Sequence, residues 1–203
     1  MEFVMVFLIA YLIAAINPSI IICKKVKGTD IRNEGSGNAG TTNAIRTMGT
    51  GMGILVFILD IVKVIISYGI IFVLSKLFDI EITSTMKSIY IVASVFGHCY
   101  PIYYGFKGGK GVTTFLVSMM IVDYKATLVC LLVGVIIIAV TRWVSLGSVS
   151  GVVLSLILGL FMDTNYNYLV VAIAALVIVW RHRSNIKRLI EGTENKLSFK
   201  KNK

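Results

Sequence analysis

Apolar residues in this chain run in long unbroken blocks, without the period-two alternation of half-buried strands. The blocks fall at about 3–22, 52–78, 88–104, 112–122, 124–141, 145–162 and 167–180. A helix needs roughly 20 apolar residues to cross a hydrocarbon core about 30 Å thick, and it satisfies its own backbone polar groups while doing so. The pattern predicts an all-α, polytopic integral membrane protein with seven transmembrane helices in a single membrane-embedded domain, 1–203. The fourth block is short. With Asp123 and Lys125 at the join it could fuse with the fifth, leaving six spans and reversing the side of everything that follows. Residues 197–203 read as a frayed tail whose lysines can touch anionic lipid.

Composition agrees with the pattern. The chain is 57% hydrophobic and 15% charged, with a mean hydropathy of +0.86, against about 45–50% and about 25% in soluble domains. A water-soluble domain and a disordered chain are both excluded. The net charge of +10 in so apolar a chain points to a membrane protein, not to a nucleic-acid binder.

Charge also decides between six spans and seven. In the seven-span arrangement one face gathers Lys24, Lys25, Lys27, Arg32, Arg46, Lys107, Lys110, Arg142 and the basic tail from Arg181, for a net +12 against −2 on the other face. Six spans would separate the basic tail from the basic first loop. Because Lys and Arg accumulate in short cytoplasmic loops, seven spans with the N-terminus outside and the C-terminus in the cytoplasm is the expected topology. The first block, with Glu2 and no positive leader, does not read as a cleaved signal. Cys23, Cys99 and Cys130 are widely spaced with no CxxC, so neither a disulfide framework nor a metal site is expected.

The chemistry-bearing residues collect on the basic face. The first loop reads Gly35-Ser36-Gly37-Asn38-Ala39-Gly40-Thr41-Thr42-Asn43-Ala44-Ile45-Arg46. Glycines among small hydroxyl and amide residues favour a tight backbone with outward N–H groups, a concavity that binds anions, and Arg46 adds a planar cationic fork suited to phosphate. The spacing Gly35, Gly37, Gly40 matches GxGxxG, but a membrane helix precedes it where a dinucleotide site requires a strand. A second group runs from Gly97-His98-Cys99-Tyr100-Pro101 to Gly105-Phe106-Lys107-Gly108-Gly109-Lys110-Gly111-Val112-Thr113-Thr114. It departs from the P-loop pattern, yet offers two cations on glycine turns and a following helix N-terminus, itself favourable for phosphate. The third is Arg181-His182-Arg183-Ser184-Asn185-Ile186-Lys187-Arg188 with Gly192-Thr193-Glu194-Asn195. His182 and Asn185 share a face if this stretch is helical. Lys187 and Arg188 read more simply as a headgroup-facing flank. Ser145 and Ser148 open the sixth block and could serve only as helix caps. Asp60 and Lys63, three apart within a span, read as an internal ion pair. Tyr100, Tyr103, Tyr104, Trp143 and Trp180 suit the interfacial belt. So many cations and anion-binding turns suggest two phosphates at the membrane boundary.

The three groups, in this order, resemble the motifs of the bacterial acyl-phosphate:glycerol-3-phosphate acyltransferases. The resemblance extends to Gly28-Thr29-Asp30-Ile31-Arg32, the Asp60/Lys63 pair and the Ser145/Ser148 segment, and so covers nearly the whole chain. It departs at Ala14-Ala15, where the family often has Gly-Ser, and at Val64, where Gly is usual. The resemblance implies a seven-helix bundle in the bacterial plasma membrane, with its site at the cytoplasmic face. It implies transfer of a fatty acyl group from acyl phosphate to the primary hydroxyl of glycerol 3-phosphate, giving 1-acyl-glycerol 3-phosphate and phosphate in phospholipid synthesis.

On that reading Ser36, Gly37, Asn38, Thr42, Asn43 and Arg46 contact phosphate and oxyanion. Lys107, Gly108, Gly109, Lys110 and Gly111 clamp a phosphate. His182 and Asn185 hold the acceptor, Ser145 and Ser148 can donate to the acyl phosphate, and Glu194 anchors the tail. The proton acceptor is open among His98, His182 and the donor's own phosphate. The His-x4-Asp dyad of thioester-using glycerolipid acyltransferases is absent, since Tyr103 and Lys187 stand at those spacings. No cofactor or metal is called for; the expected partners are the two substrates and membrane lipid, with no nucleic acid and no oligomer implied. A transporter would place polar groups near the bilayer midplane, and a charged anchor would not need glycine-bound Ser, Asn and Arg.

Overall fold

The computed structural model describes residues 1–161 and 164–197. Its described residues form ten α-helices with two short 3-10 turns, Ile31–Asn33 and Ile102–Tyr104. The helices are α1 (Glu2–Ala14), α2 (Pro18–Lys27), α3 (Thr41–Met48), α4 (Thr50–Leu77), α5 (Ser84–Cys99), α6 (Val112–Val122), α7 (Tyr124–Thr141), α8 (Val144–Phe161), α9 (Tyr168–Arg181) and α10 (Arg183–Ile190).

Four stretches are long and apolar enough to cross a membrane: Glu2–Lys27, Thr50–Leu77, Tyr124–Thr141 and Val144–Phe161. The bent pair α9 and α10, meeting at 53°, makes a fifth if taken together, and α6 is a shorter apolar helix of 11 residues. The protein is an all-helical, multi-pass membrane protein.

Several boundaries differ from the sequence reading. The first block, expected to be continuous over 3–22, is broken at Ala15–Asn17 and then continues as α2 to Lys27. Asn17 causes the restart. Its Oδ1 accepts from the Ser19 and Ile20 amides and the Ser19 hydroxyl, with Pro18 at the first helical position, where its missing N–H matters least. The third block, expected to reach 104, stops at Cys99, just before Tyr100-Pro101; a residue preceding proline is steered out of the helical region. Residues 41–48, taken as loop, form α3. The fourth and fifth blocks remain separate helices, because Asp123 caps α7 by accepting from the Ala126 amide. Leu197, read as the start of the frayed tail, donates its amide to the Arg142 carbonyl; Ser198–Lys203 lie outside the described residues, as does Asp163.

Helix α5 sits at the centre, packed by α1, α6 and α9. Its Gly97 lies against the Tyr11 carbonyl, Ala14 and Ala15, so a larger residue on either side would push α1 off α5. Close helix approach in membranes rests on such small residues, and Ala14-Ala15 supply them here. Side chains such as Ile58, Ile65, Leu132, Val135 and Leu176 face outward, as lipid-facing surfaces require.

Candidate active site

The three polar groups meet at one end of the bundle. They line a cleft of about 1030 Å³ that includes Ser36, Asn38, Thr42, Arg46, Lys110, Gly111, Ser145, Ser148, His182, Asn185 and Glu194. Asp60 and His98 form part of its floor, and Arg188 part of its wall.

Helices α3, α4 and α6 begin on this cleft without a capping side chain. Helices α2, α5, α7 and α9 are capped by Asn17, Thr83, Asp123 and Asn167. The first residues of α3 and α6 instead follow Gly40 and Gly111, which carry no capping side chain. The opening N–H groups of a helix have no intrahelical partner and concentrate partial positive charge. Thr41 and Thr42 on α3, and Val112 and Thr113 on α6, all lie on the cleft. The Thr41 hydroxyl is buried there without a hydrogen-bond partner. Thr41 and Thr113 line the cleft and were passed over in the sequence reading; a glycine followed within two residues by threonine, Gly40-Thr41 and Gly111-Val112-Thr113, is the signal for them.

The first loop is held in shape by Asn43. Its Oδ1 accepts from the Ser36 amide, and its Nδ2 donates to the Ile31 and Glu34 carbonyls. Both ends of this buried amide are therefore engaged with backbone. Asn43, expected from sequence to contact phosphate, lines the cleft and shapes the loop through these bonds. Gly35 has φ +55 and lies directly against Asn43, so the turn needs both the absent side chain and the left-handed backbone. Asn17 Nδ2 donates to the Ala39 carbonyl, tying the loop to the α1–α2 break.

The second loop is braced from both sides. Arg32 donates to the Tyr104 and Lys107 carbonyls while pairing with Asp30. Arg181 donates to the Gly108 and Gly109 carbonyls. These contacts turn Lys107 and Lys110 in different directions. Lys110 enters the cleft and donates to Asn185 Oδ1. Lys107 is exposed and lines a separate shallow hollow with Gly37, Gly108 and Arg181. Of the two lysines expected to clamp a phosphate, Lys110 lines the cleft and Lys107 the neighbouring hollow. Gly109 is required for packing, since it lies against His98 Nε2 and the Ala39 carbonyl, and Gly111 takes φ +85 to start α6.

The third group is organised by Glu194. Its carboxylate accepts from Ser145 Oγ at 2.7 Å, Asn185 Nδ2 at 2.6 Å and Arg188 Nε at 2.7 Å. The tail, α8 and α10 are joined through this one side chain. The Ser145 hydroxyl is consequently donated to Glu194 and not to the open cleft, whereas Ser148 faces the cleft. Burial pushes the Glu194 carboxyl up, but the three hydrogen bonds and the Arg188 charge outweigh it and hold it below the ordinary value. Burial pushes Lys110 down to about 8; Glu194 opposes that shift, and the Arg188, Arg181 and Arg46 charges add to it.

The two histidines differ in their surroundings. His182 sits at the α9–α10 bend with Nδ1 2.8 Å from the Ile178 carbonyl. A carbonyl only accepts, so Nδ1 carries the proton and the Nε2 lone pair is free. Burial lowers its pKa to about 4, overriding the Ile178 hydrogen bond, so the ring is neutral. His98 Nδ1 instead lies 3.0 Å from Lys63 Nζ. Neither imidazole is hydrogen-bonded to a serine hydroxyl or a cysteine thiol among the described residues.

A family model described as glycerol-3-phosphate acyltransferase matches residues 4–192. The chain belongs to the glycerol-3-phosphate acyltransferase family. The acyltransferase of that name from Clostridioides difficile (strain 630) is 38% identical over 200 residues, spanning 98% of each chain. One from Halalkalibacterium halodurans is 42% identical over 200 residues, covering 95% of this chain and 94% of that protein. Among solved structures, PlsY (YgiH), an integral membrane glycerol 3-phosphate acyltransferase, superposes in its glycerol 3-phosphate form with a TM-score of 0.84 and 36% identity. That match covers 98% of this chain and 96% of the other. Its lysophosphatidic acid form gives 0.81 at 34% identity, covering 98% and 97%. The resemblance drawn from the motifs therefore holds at the level of the family and of the acyltransferase bundle.

Proposed function

We propose that this protein transfers a fatty acyl group from acyl phosphate to the primary hydroxyl of glycerol 3-phosphate, releasing 1-acyl-glycerol 3-phosphate and inorganic phosphate. One observation supports the choice of donor: the cleft offers anion-binding groups, and among the described residues neither of its imidazoles is hydrogen-bonded to a serine hydroxyl or a cysteine thiol. The hydrogen-bonding partners of His98 and His182 are Lys63 and a backbone carbonyl, and all three cysteines are buried. An acyl phosphate carries its own good leaving group and needs no acyl-enzyme step, and the His-x4-Asp dyad of thioester-using acyltransferases is absent from the sequence. The glycerol 3-phosphate and lysophosphatidic acid forms of the related PlsY support the acceptor and product.

The reaction is then a matter of placement and charge. The bare ends of α3 and α6 with Ser36, Asn38, Arg46 and Lys110 receive phosphate oxygens. Asn185 and His182 Nε2 hold the acceptor hydroxyl. That hydroxyl oxygen forms the new ester bond to the acyl carbon, the acyl C–O bond to phosphate breaks, and the bonding pair leaves with phosphate. The hydroxyl proton goes to the departing phosphate, whose second ionisation lies near neutral and makes it a better base than an imidazole lowered to about 4.

The reading includes a single domain over 1–203, seven spans, an outside N-terminus, and a cleft facing the cytoplasm among lipid headgroups. The positive-inside charge bias supports that orientation. The test is direct. Purified protein in detergent, given acyl phosphate and glycerol 3-phosphate, releases phosphate and lysophospholipid in equal amounts. Absence of turnover, with glycerol phosphate uptake into vesicles instead, would replace the enzyme with a transporter.

A further inference from the structure

Beneath the cleft, three side chains from two helices and a carbonyl from a helix break form a buried polar group that the reaction scheme does not use. Lys63 Nζ on α4 lies 2.7 Å from Asp60 Oδ1, 2.9 Å from the Ile16 carbonyl and 3.0 Å from His98 Nδ1. Asp60, Lys63 and His98 are 2%, 6% and 4% exposed. The Ile16 carbonyl is available because the helix is interrupted between α1 and α2. Asp60 and His98 reach the cleft floor, while Lys63 does not line it.

An ammonium group has protons to give and no lone pair to receive with. A ring nitrogen 3.0 Å from it is therefore the acceptor, and the ring proton must sit on the other nitrogen. The competing arrangement would have Nδ1 donate to Asp60, but Asp60 Oδ1 is 3.6 Å away, beyond a normal hydrogen bond; that oxygen has Lys63 at ion-pair distance and no hydrogen-bond partner. The other ring nitrogen, Nε2, lies where Gly109 and the Ala39 carbonyl approach, at the meeting of the first two motifs.

We propose that Lys63 is a positioning residue that locks His98 in its Nε2–H tautomer, so that His98 serves the cleft as a hydrogen-bond donor and not as a base. His182, with Nδ1–H on the Ile178 carbonyl, takes the opposite tautomer. One histidine gives and the other receives. The donor role deepens the acyltransferase reading and rests on it; the tautomer assignment does not.

The experiment is nitrogen-15 spectroscopy of imidazole-labelled protein without a histidine tag. Only two rings contribute, and His182→Asn assigns them. The wild-type spectrum should contain one Nε2–H and one Nδ1–H ring, with His98 the former. In Lys63→Met, His98 should become a tautomer mixture. A wild-type His98 protonated on Nδ1 overturns the proposal, as does an unchanged tautomer in Lys63→Met. Should Lys63→Met not fold, the wild-type spectrum alone decides. In acyl-transfer assays, His98→Gln, which keeps an N–H donor, should stay within about tenfold of wild type while His98→Leu falls about a hundredfold. Equal loss in the two folded variants overturns the donor role. A wild-type protein inactive with both substrates overturns the acyltransferase reading and leaves the spectroscopic result standing.

Discussion

The Lys110 ammonium donates to the side-chain oxygen of Asn185, 75 residues away, and so joins the second motif to the third inside one cleft. Burial also brings Lys110 down to about 8, so its charge is lost in mildly alkaline solution. On the proposed reaction, the Michaelis constant for glycerol 3-phosphate should climb as pH rises through about 8. It should stay level over the same interval in Lys110→Arg, because a guanidinium keeps its proton. Initial rates across a pH series, for both proteins, check this.

Arg46 and Lys107 should behave oppositely. Arg46 lines the cleft, and its loss should lower activity at least about a hundredfold if it makes transition-state contacts of roughly 3 kcal/mol. Lys107 lies in the neighbouring hollow, so Lys107→Ala should change kcat/KM by less than about threefold, under about 0.7 kcal/mol of transition-state stabilisation. A hundredfold loss in Lys107→Ala would return that lysine to the reaction.

Asn43→Ala removes three hydrogen bonds from a residue that is 1% exposed. Each unsatisfied buried group costs about 1–3 kcal/mol. The variant should lose activity together with thermal stability. Thermal melting in detergent distinguishes this from loss of a substrate contact, which would leave the melting temperature in place.

Glu194→Ala should loosen the tail from α8 and α10 and lower the melting temperature near neutral pH. The Glu194 carboxyl is held below its ordinary value, so its stabilising effect is present above the unfolded-state pKa and lost as pH falls through the folded value. The gap between wild type and Glu194→Ala should therefore close in acid. Melting curves from neutral to acidic pH measure it.

The sequence was most legible where one interaction dominates. Hydrophobic length placed the bodies of the helices, and the glycine-rich polar runs marked the stretches that build the cleft. It was least legible where a side chain's task depends on a distant partner. Asp60 and Lys63 are visible as a pair three apart, but His98 comes from α5 and the freed Ile16 carbonyl from the break between α1 and α2. Lys107 and Lys110 share composition and neighbourhood, and they diverge because Arg32 and Arg181 grip the carbonyls around them. Asn43 reads as a phosphate ligand because an amide suits that task, and its three backbone partners show only in the fold. Helix α3 was missed because its polar, threonine-rich sequence has weak helix propensity, and its packing against α4, where Gly53 admits Ile45, supplies what propensity does not.

The uncapped ends of α3 and α6 carry a consequence for traffic through the cleft. Peptide N–H groups recognise the charge and size of an anion and are blind to what is attached to it. On the proposed reaction, incoming donor, waiting acceptor and spent phosphate all present the same oxygens to them. Turnover would then be self-limiting: phosphate released by one cycle occupies the seat needed for the next, and the enzyme slows as its own by-product accumulates. Discrimination would fall to the greasy end of the donor, which the bilayer delivers and free phosphate lacks.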